Sequence, residues 1–256
     1  MLALEVALLS EPGGRSVNED ACGHWHCARR LCCVLADGAG GHGGGDVAAR
    51  LAVRHMLDAF AAGAVDGGHD GEGDGDLAAL VRDANRALLA GRALDTRCSG
   101  MHTTVVCLVV DFVRHTAEWA HAGDSRLYRF SGGRLAERTR DHSFVQSLVD
   151  AGLLDEAGVR SHARRSELRS ALGVTEAELE VGYNGAPRPV AAGDAFLLCS
   201  DGCWEHLDEA LLESTLRSAA SPDAWLHAIE AAVTAATRGR RSHDNFTAMA
   251  VWAAAA

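Results

Sequence analysis

Three aspartates, far apart in the chain, share one local setting. They read VLADGAGGHGGG (34–45, with Asp37-Gly38), LLCSDGCW (197–204, with Asp201-Gly202) and SHDNFTAM (242–249, with Asp244-Asn245). Each carboxylate stands where an apolar, strand-like run meets a loop. Matching settings at such separations imply one oxygen-rich cation site assembled by the fold. Oxygen-only ligand sets suit hard divalent cations such as magnesium or manganese, and those ions bind phosphate esters. Taken singly, each aspartate reads equally well as a turn residue; the joint pattern carries the inference.

The elements that must position these residues follow from hydrophobic periodicity. Residues 2–9, 21–28 and 31–36 read as short strands, with EPGGR turning between the first two. A helix follows, with Ala48, Leu51, Ala52, Met56, Ala59 and Phe60 at three-four spacing, and a second carries Leu77, Leu80, Val81, Ala84 and Leu88. The glycine- and aspartate-rich stretch 63–76 between them reads as a flexible acidic connector, because it lacks the terminal glutamate of a calcium loop. Strands are expected over 102–111, 115–123 and 125–135, the last folded at Ser131-Gly132-Gly133 into a hairpin. Residues 142–172 read as helical and charged, and lead through a strand near 178–183 to FLLCSDG. Ser221 is expected to cap a helix that has Pro222 at its first position and Gly239 past its end. NFTAMAVW closes the chain as a strand. Strand meanders with helix pairs on either side imply an α+β fold, with two sheets covered by helices on their outer faces. No linker divides the chain, so a single domain over 1–256 is expected.

Composition narrows the function classes. The 256 residues are 48% apolar and 23% charged, as in an ordinary globular protein. A formal net charge of −11 argues against non-specific binding to nucleic acid or to an anionic membrane surface. The eight cysteines include no C-x-x-C pair, and several lie in strand-like runs, so buried free thiols in a reducing compartment are expected. The N-terminal stretch lacks a basic region and is interrupted by Glu5, which reads as a strand rather than a signal peptide. No run approaches the roughly 18 apolar residues of a membrane span. A cytoplasmic location is expected.

Seven short motifs then fall in a telling order: RSVNED (15–20), VLADGAGGHGGG (34–45), HTT (102–104), HAGDSRLYRF (121–130), RDHS (140–143), CSDGCW (199–204) and SHDNFT (242–247). Their order and spacing resemble the metal-dependent protein serine/threonine phosphatases of the phosphatase 2C type, in their short bacterial form, over about residues 5 to 252. The resemblance implies a sandwich of two stacked, mainly antiparallel sheets with helices on both outer faces (αββα). It implies hydrolysis of phosphoserine and phosphothreonine in proteins, with two manganese or magnesium ions and a bridging hydroxide as nucleophile. Asp37 would bridge both ions and the Gly38 carbonyl would ligate one. Glu19 and Asp20 would serve one ion, directly or through water, and Asp201 and Asp244 the other. Asp124 resembles the residue that shares a third, weaker ion with Asp201, and Arg15 resembles the arginine that grips the substrate phosphate. A guanidinium offers two phosphate oxygens a planar fork that lysine lacks.

Each residue also has a plainer reading. Glu19 and Asp20 read as a solvated acidic pair, Arg15 as a surface arginine and Asp124 as a hairpin cap. His42, His121, His142 and His243 read as structural hydrogen-bonding residues. There are departures as well. Many eukaryotic members place a histidine, proposed as general acid, after the first Asp-Gly; here Ala39 stands there, so no general acid is assigned. Glu205 follows CSDGCW where aspartate is common, which leaves the third-ion site open. The segment 142–172 matches a flap that influences substrate choice in the family. Its arginines Arg160, Arg164, Arg165 and Arg169 read either as phosphoprotein contacts or as a solvated face. Implied partners are phosphoproteins targeted by a bacterial serine/threonine kinase, with no nucleic acid, no membrane and a monomeric state. Two alternatives share the motifs: a phosphatase dedicated to one regulatory protein, as in partner switching, and a non-catalytic phosphoprotein-binding module.

Overall fold

The structure, a computed structural model, describes residues 2–39, 44–65, 76–94, 100–240 and 242–255. One sheet is built from β1 (Leu2–Glu11), β12 (Phe246–Ala255), β11 (Ala195–Cys199), β7 (Arg126–Ser131) and β8 (Arg134–Arg138), in that order. The other runs β10 (Arg188–Pro189), β6 (Thr116–Ala122), β5 (Val105–Asp111), β3 (Arg30–Ala39) and β2 (Asp20–His26). Short strands β4 (His102–Thr103) and β9 (Gly182–Tyr183) add to β3 and β6. Every pairing is antiparallel.

Alternation along the strands creates three apolar layers. Leu31, Cys33 and Leu35 of β3 meet Phe196, Leu198, Met249 and Val251 between the sheets. Cys32, Val34 and Ala36 point the other way, onto α1 (Gly45–Val65) and α2 (Leu77–Leu94). Tyr128, Phe130, Leu197 and Ala248 face α6 (Glu209–Ser218) and α7 (Pro222–Thr237) across the opposite outer layer. The expected αββα sandwich is the architecture found. The strands of the central layers are buried on both faces, and each fully buried Leu, Phe or Met contributes ~1.5–3 kcal/mol. Strand ends emerging from such a core are held firmly.

Local expectations were met with adjustments. The core face of α1 uses Ala48, Ala49, Ala52, Val53 and Met56, slightly rotated from the stripe read in the sequence. Gly132 and Gly133 have φ of 57° and 73°, the left-handed pair that a two-residue hairpin turn requires. Ser221 caps α7, accepting from the Ala224 N–H at 3.1 Å. The expected strand near 178–183 is reduced to β9. The segment 142–172 is not a continuous helix: only α3 (Phe144–Asp150) and α4 (Glu156–Val159) are helical there. Arg160, Arg165 and Arg169 find partners distant in sequence, and Arg164 pairs locally with Glu167. The acidic connector falls largely on 66–75, which lie outside the described residues, as do His42 and Cys98. No helix among the described residues is long and apolar enough to cross a membrane.

Candidate metal centre

Register places the predicted carboxylates at one end of the sandwich. Asp20 opens β2 directly opposite Asp37 near the end of β3. Val105, at the start of β5, pairs with Ala122 at the end of β6, so the connector that follows brings Asp124 to the same end. In the second sheet Cys199 pairs with both Ala248 and Arg126, so Asp201 leaves β11 beside the start of β12 and of β7. Asp244 lies two residues before β12. Both sheets therefore deliver acidic residues to one spot.

The glycines after Asp37 and Asp201 serve close approach, not turn conformation. A Cβ on Gly38 would lie 2.3 Å from the Gly45 carbonyl oxygen and 2.6 Å from that of Glu19. A Cβ on Gly202 would lie 2.0 Å from the Asn245 carbonyl oxygen. Any side chain at either position would push two segments of the site apart.

The carboxylates crowd one another electrostatically. Burial pushes the Asp20 carboxyl up to about 6, against hydrogen bonds from Thr247 and Ser200 that pull it down. Burial pushes Asp201 up to about 7, with Glu205, Asp244 and Asp20 adding repulsion. Asp37 is raised well above the carboxylate range by burial and by the charges of Asp20, Asp201, Asp124 and Asp244. Asp124, 4% exposed, is raised by burial and by Asp201 and Asp141. Glu19 is raised by burial and by Asp46 in the first turn of α1. Such an arrangement costs free energy unless cations neutralise it.

Hydrogen bonds fix the backbone around these groups. The Asp37 N–H donates to Thr104 Oγ1 at 3.0 Å, and the Asp37 carbonyl accepts from Thr103 Oγ1 and from the Thr104 N–H, both at 2.8 Å. Ser200 Oγ donates to Asp20 Oδ2 at 2.9 Å, while Asp20 Oδ1 is buried with no partner. Asn245 is a hub. Its side-chain oxygen accepts from the Glu19 N–H at 2.9 Å, and its amide donates to the carbonyls of Pro12 at 2.8 Å and Val17 at 3.1 Å. It thereby ties the loop bearing Arg15 and Glu19 to the segment bearing Asp244. Arg15 is half-exposed and its Nη2 donates to Asp244 Oδ2 at 3.0 Å.

No group of three His, Cys, Asp or Glu among the described residues is already closed around one ion position. The donor set nevertheless fits hard divalent cations: it is all oxygen, one buried carboxylate oxygen of Asp20 is unpartnered, and the charges repel. Asp244 is turned to Arg15.

Sequence reasoning assigned no role to Asn245, Ser200, Thr103 or Thr104, although all lie inside the quoted motifs. Polar side chains flanking an Asp at a strand end were the available signal. His121 and His142 stack at 4.6 Å between centroids. His121 Nε2 contacts the Arg140 carbonyl at 2.8 Å, and His142 Nδ1 accepts from the Gly123 N–H at 3.2 Å. Burial beside His121 and Arg169 pushes His142 down to about 3, so it is a neutral acceptor here. The four flap arginines all have partners. Arg160 donates to the carbonyls of Trp204 and Leu207, at 3.2 and 2.9 Å. Arg164 pairs with Glu167 and stacks on Phe144, Arg165 pairs with Glu205 at 2.5 Å, and Arg169 pairs with Glu180 at 2.7 Å.

Comparison with known proteins places this geometry in context. Residues 13–238 match the family described as protein phosphatase 2C. The chain is 36% identical over 221 residues to the serine/threonine protein phosphatase PstP of Mycobacterium tuberculosis, covering 83% of this chain but 39% of that relative. It thus spans well under half of that relative's length. It is 32% identical over 185 residues to the serine/threonine phosphatase stp of Listeria innocua, covering 72% of this chain and 71% of that one. The solved catalytic domain of PstP, in complex with 2 manganese ions, superposes with a TM-score of 0.77 at 29% identity and covers 100% of both chains.

Proposed function

The chain belongs to the protein phosphatase 2C family, and on that premise we propose that it hydrolyses phosphoserine and phosphothreonine in proteins with manganese or magnesium as cofactor. The observation that carries the proposal is the meeting of Asp20, Asp37, Asp124, Asp201 and Asp244 at one end of the sandwich, with the Arg15 guanidinium beside them. The intact set of acidic residues favours catalysis over a binding-only role, since a cluster kept at this electrostatic cost needs a use.

In this reading Asp37, the Gly38 carbonyl, Glu19 and Asp20 would hold one ion, Asp37, Asp201 and Asp244 a second, and Asp124 with Asp201 a third, weaker one. When bound, such ions neutralise the substrate phosphate and lower the pKa of a water beside the phosphorus. The chain's own residues do the remaining work. Arg15 binds two phosphate oxygens through its fork. Thr103 and Thr104 hold the Asp37 backbone, and Asn245 holds the loop that carries Arg15 and Glu19. No thiol is called on as nucleophile: burial pushes the Cys107 thiol up to about 12 and the Cys33 thiol further still.

Residues 1–256 form one catalytic unit in this proposal, with 142–172 as its flap, docked through Arg160 and Arg165 onto the segment after Asp201. The partners are phosphoproteins that a serine/threonine kinase has modified, met by a monomer in the cytoplasm, without nucleic acid or membrane. The test is direct. Purified protein is offered a phosphothreonine peptide with manganese and with a chelator. Turnover that needs the metal supports the reading; no turnover at saturating manganese overturns it.

A further inference from the structure

Behind the carboxylates lies a buried charged assembly that the reaction above does not use. Arg126, at the start of β7, is 1% exposed. Its Nε and Nη2 donate to the two oxygens of Asp141 at 2.9 and 2.7 Å, and its Nη1 donates to the Tyr128 hydroxyl at 3.1 Å. The face of the guanidinium lies 3.5 Å from the centroid of the Trp204 ring. The indole N–H of Trp204 in turn donates to the backbone carbonyl of Asp124 at 2.9 Å.

Stability alone is a poor reason for this assembly. A buried ion pair must recover the desolvation of both charges, and a well-packed apolar replacement is often as stable. What the assembly does is geometric. Trp204 is the last residue of α5 (Asp201–Trp204), the short helix that opens with Asp201. The helix that carries one carboxylate therefore also carries the donor that holds the backbone of another. Arg126 fixes the plane of that donor, because stacking on one side and a two-point bond to Asp141 leave the ring one orientation. Arg126 also places a permanent positive charge near Asp124, opposing the Asp201 and Asp141 charges.

We propose that Trp204, its ring plane set by Arg126, is a positioning residue that registers Asp124 against Asp201 for a divalent cation held between them. The proposal rests on the metal-dependent reading of the site. It assigns no contact between Trp204 and substrate.

Trp204→Phe deletes the indole N–H together with the five-membered part of the ring and leaves a smaller aromatic face for the guanidinium. Trp225→Phe is the control. It removes a like bond, from the Trp225 indole N–H to Thr215 Oγ1 at 3.1 Å, in the helix-packed outer layer away from the acidic cluster. Manganese binding is followed by calorimetry, with thermal melting of the metal-free proteins alongside. In Trp204→Phe the weakest manganese event is expected to weaken by about 10–100-fold, the usual effect of losing a residue that orients a ligand. The tighter events should match the parent, and melting should match the control. Manganese binding identical to the parent, or an equal loss in both variants, overturns the proposal. Should Trp204→Phe not fold, Arg126→Lys keeps the charge but not the stacked plane, and the same selective weakening is expected. Parent-like binding there, or failure of both variants to fold, also removes the proposal. A parent protein that binds no manganese would instead remove the metal-dependent reading itself.

Discussion

Arg15 Nη2 lies 3.0 Å from Asp244 Oδ2, so the residue assigned to substrate phosphate and a residue assigned to metal hold each other. Both side chains are about half exposed, at 54% and 48%. An ion pair so exposed contributes ~0–1 kcal/mol and exchanges readily. A cation that took the Asp244 carboxylate would free the guanidinium for a phosphate and so would couple metal loading to substrate binding. Arg15→Ala is therefore expected to lower kcat/KM on a phosphothreonine peptide by about 1.5–3 kcal/mol of lost charged contact, roughly ten- to 150-fold. Its manganese affinity should be unchanged or tighter, because Asp244 loses a competitor. Calorimetry beside peptide kinetics reads both. Unchanged kcat/KM would return Arg15 to the role of a surface residue.

The raised carboxyls set the sign of pH dependence without metal. Asp20 at about 6 and Asp201 at about 7 stand above their unfolded values, so the folded state binds more protons than the unfolded chain. That contribution to stability is fully present below the unfolded carboxylate range and is lost as pH rises through the folded values. The metal-free protein should thus melt at falling temperature from about pH 5 to about pH 8. Saturating manganese should flatten or reverse the trend, because ions replace protons on the same oxygens. Melting curves at several pH values with and without manganese decide it. A metal-free melting temperature that rises across that range would contradict the crowding described for these carboxylates.

Much of this site was legible because strand ends are marked in sequence. An apolar run that stops at Asp-Gly marks Asp37 and Asp201, one that starts after Asp-Asn marks Asp244, and RSVNED and GDSR add Glu19, Asp20 and Asp124. Asp46 and Asp141, which also act on these groups, carry no such mark. The reason for each glycine was not legible: Gly38 and Gly202 are demanded by Gly45 and Asn245, which lie in distant or separate segments. Asn245 was equally hidden, since its bonds to Glu19, Pro12 and Val17 span more than 200 residues. The helix α6 was missed although Leu212 and Leu216 are spaced four apart and Asp208 caps it. In 142–172 charge suggested helix, but Arg160 spends its donors on the carbonyls of Trp204 and Leu207, a tertiary demand with no local trace.

Asn245 offers a second way to perturb the Arg15 loop without touching a proposed ligand. It is 5% exposed and makes three bonds to backbone. Asn245→Ala leaves buried backbone groups unpaired, at about 1–3 kcal/mol each where water cannot reach. Metal-free stability should fall by that order, and KM for the phosphopeptide should rise as the loop loosens. Asn245→Asp keeps the acceptor for the Glu19 N–H but loses both donors, so its KM should rise too. Two variants with parental KM would show that the loop is held by other contacts.

The sharpest test of the cluster is Asp37→Asn. The Asp37 carboxyl is desolvated and faces the charges of four other carboxylates, Asp20, Asp201, Asp124 and Asp244. Asparagine has nearly the same shape and its amide offers donors to the neighbouring carboxylates, so little packing is lost. The substitution removes the need either to hold a negative charge or to take up a proton at the place where repulsion is greatest. Metal-free Asp37→Asn should therefore melt at a higher temperature than the parent, and its melting should depend less on pH between about 5 and 8. Turnover should fall to background, because the residue assigned to both ions loses its charge and an amide oxygen is a much poorer ligand for a hard cation. The stabilising effect should vanish when manganese is added, since the parent then gains binding free energy that the variant lacks. Gain of metal-free stability with loss of activity separates a metal site from a structural carboxylate, whose removal would cost stability as well. A variant that melts lower than the parent without metal, or that keeps parental turnover at saturating manganese, would show that Asp37 is not at the centre of the site.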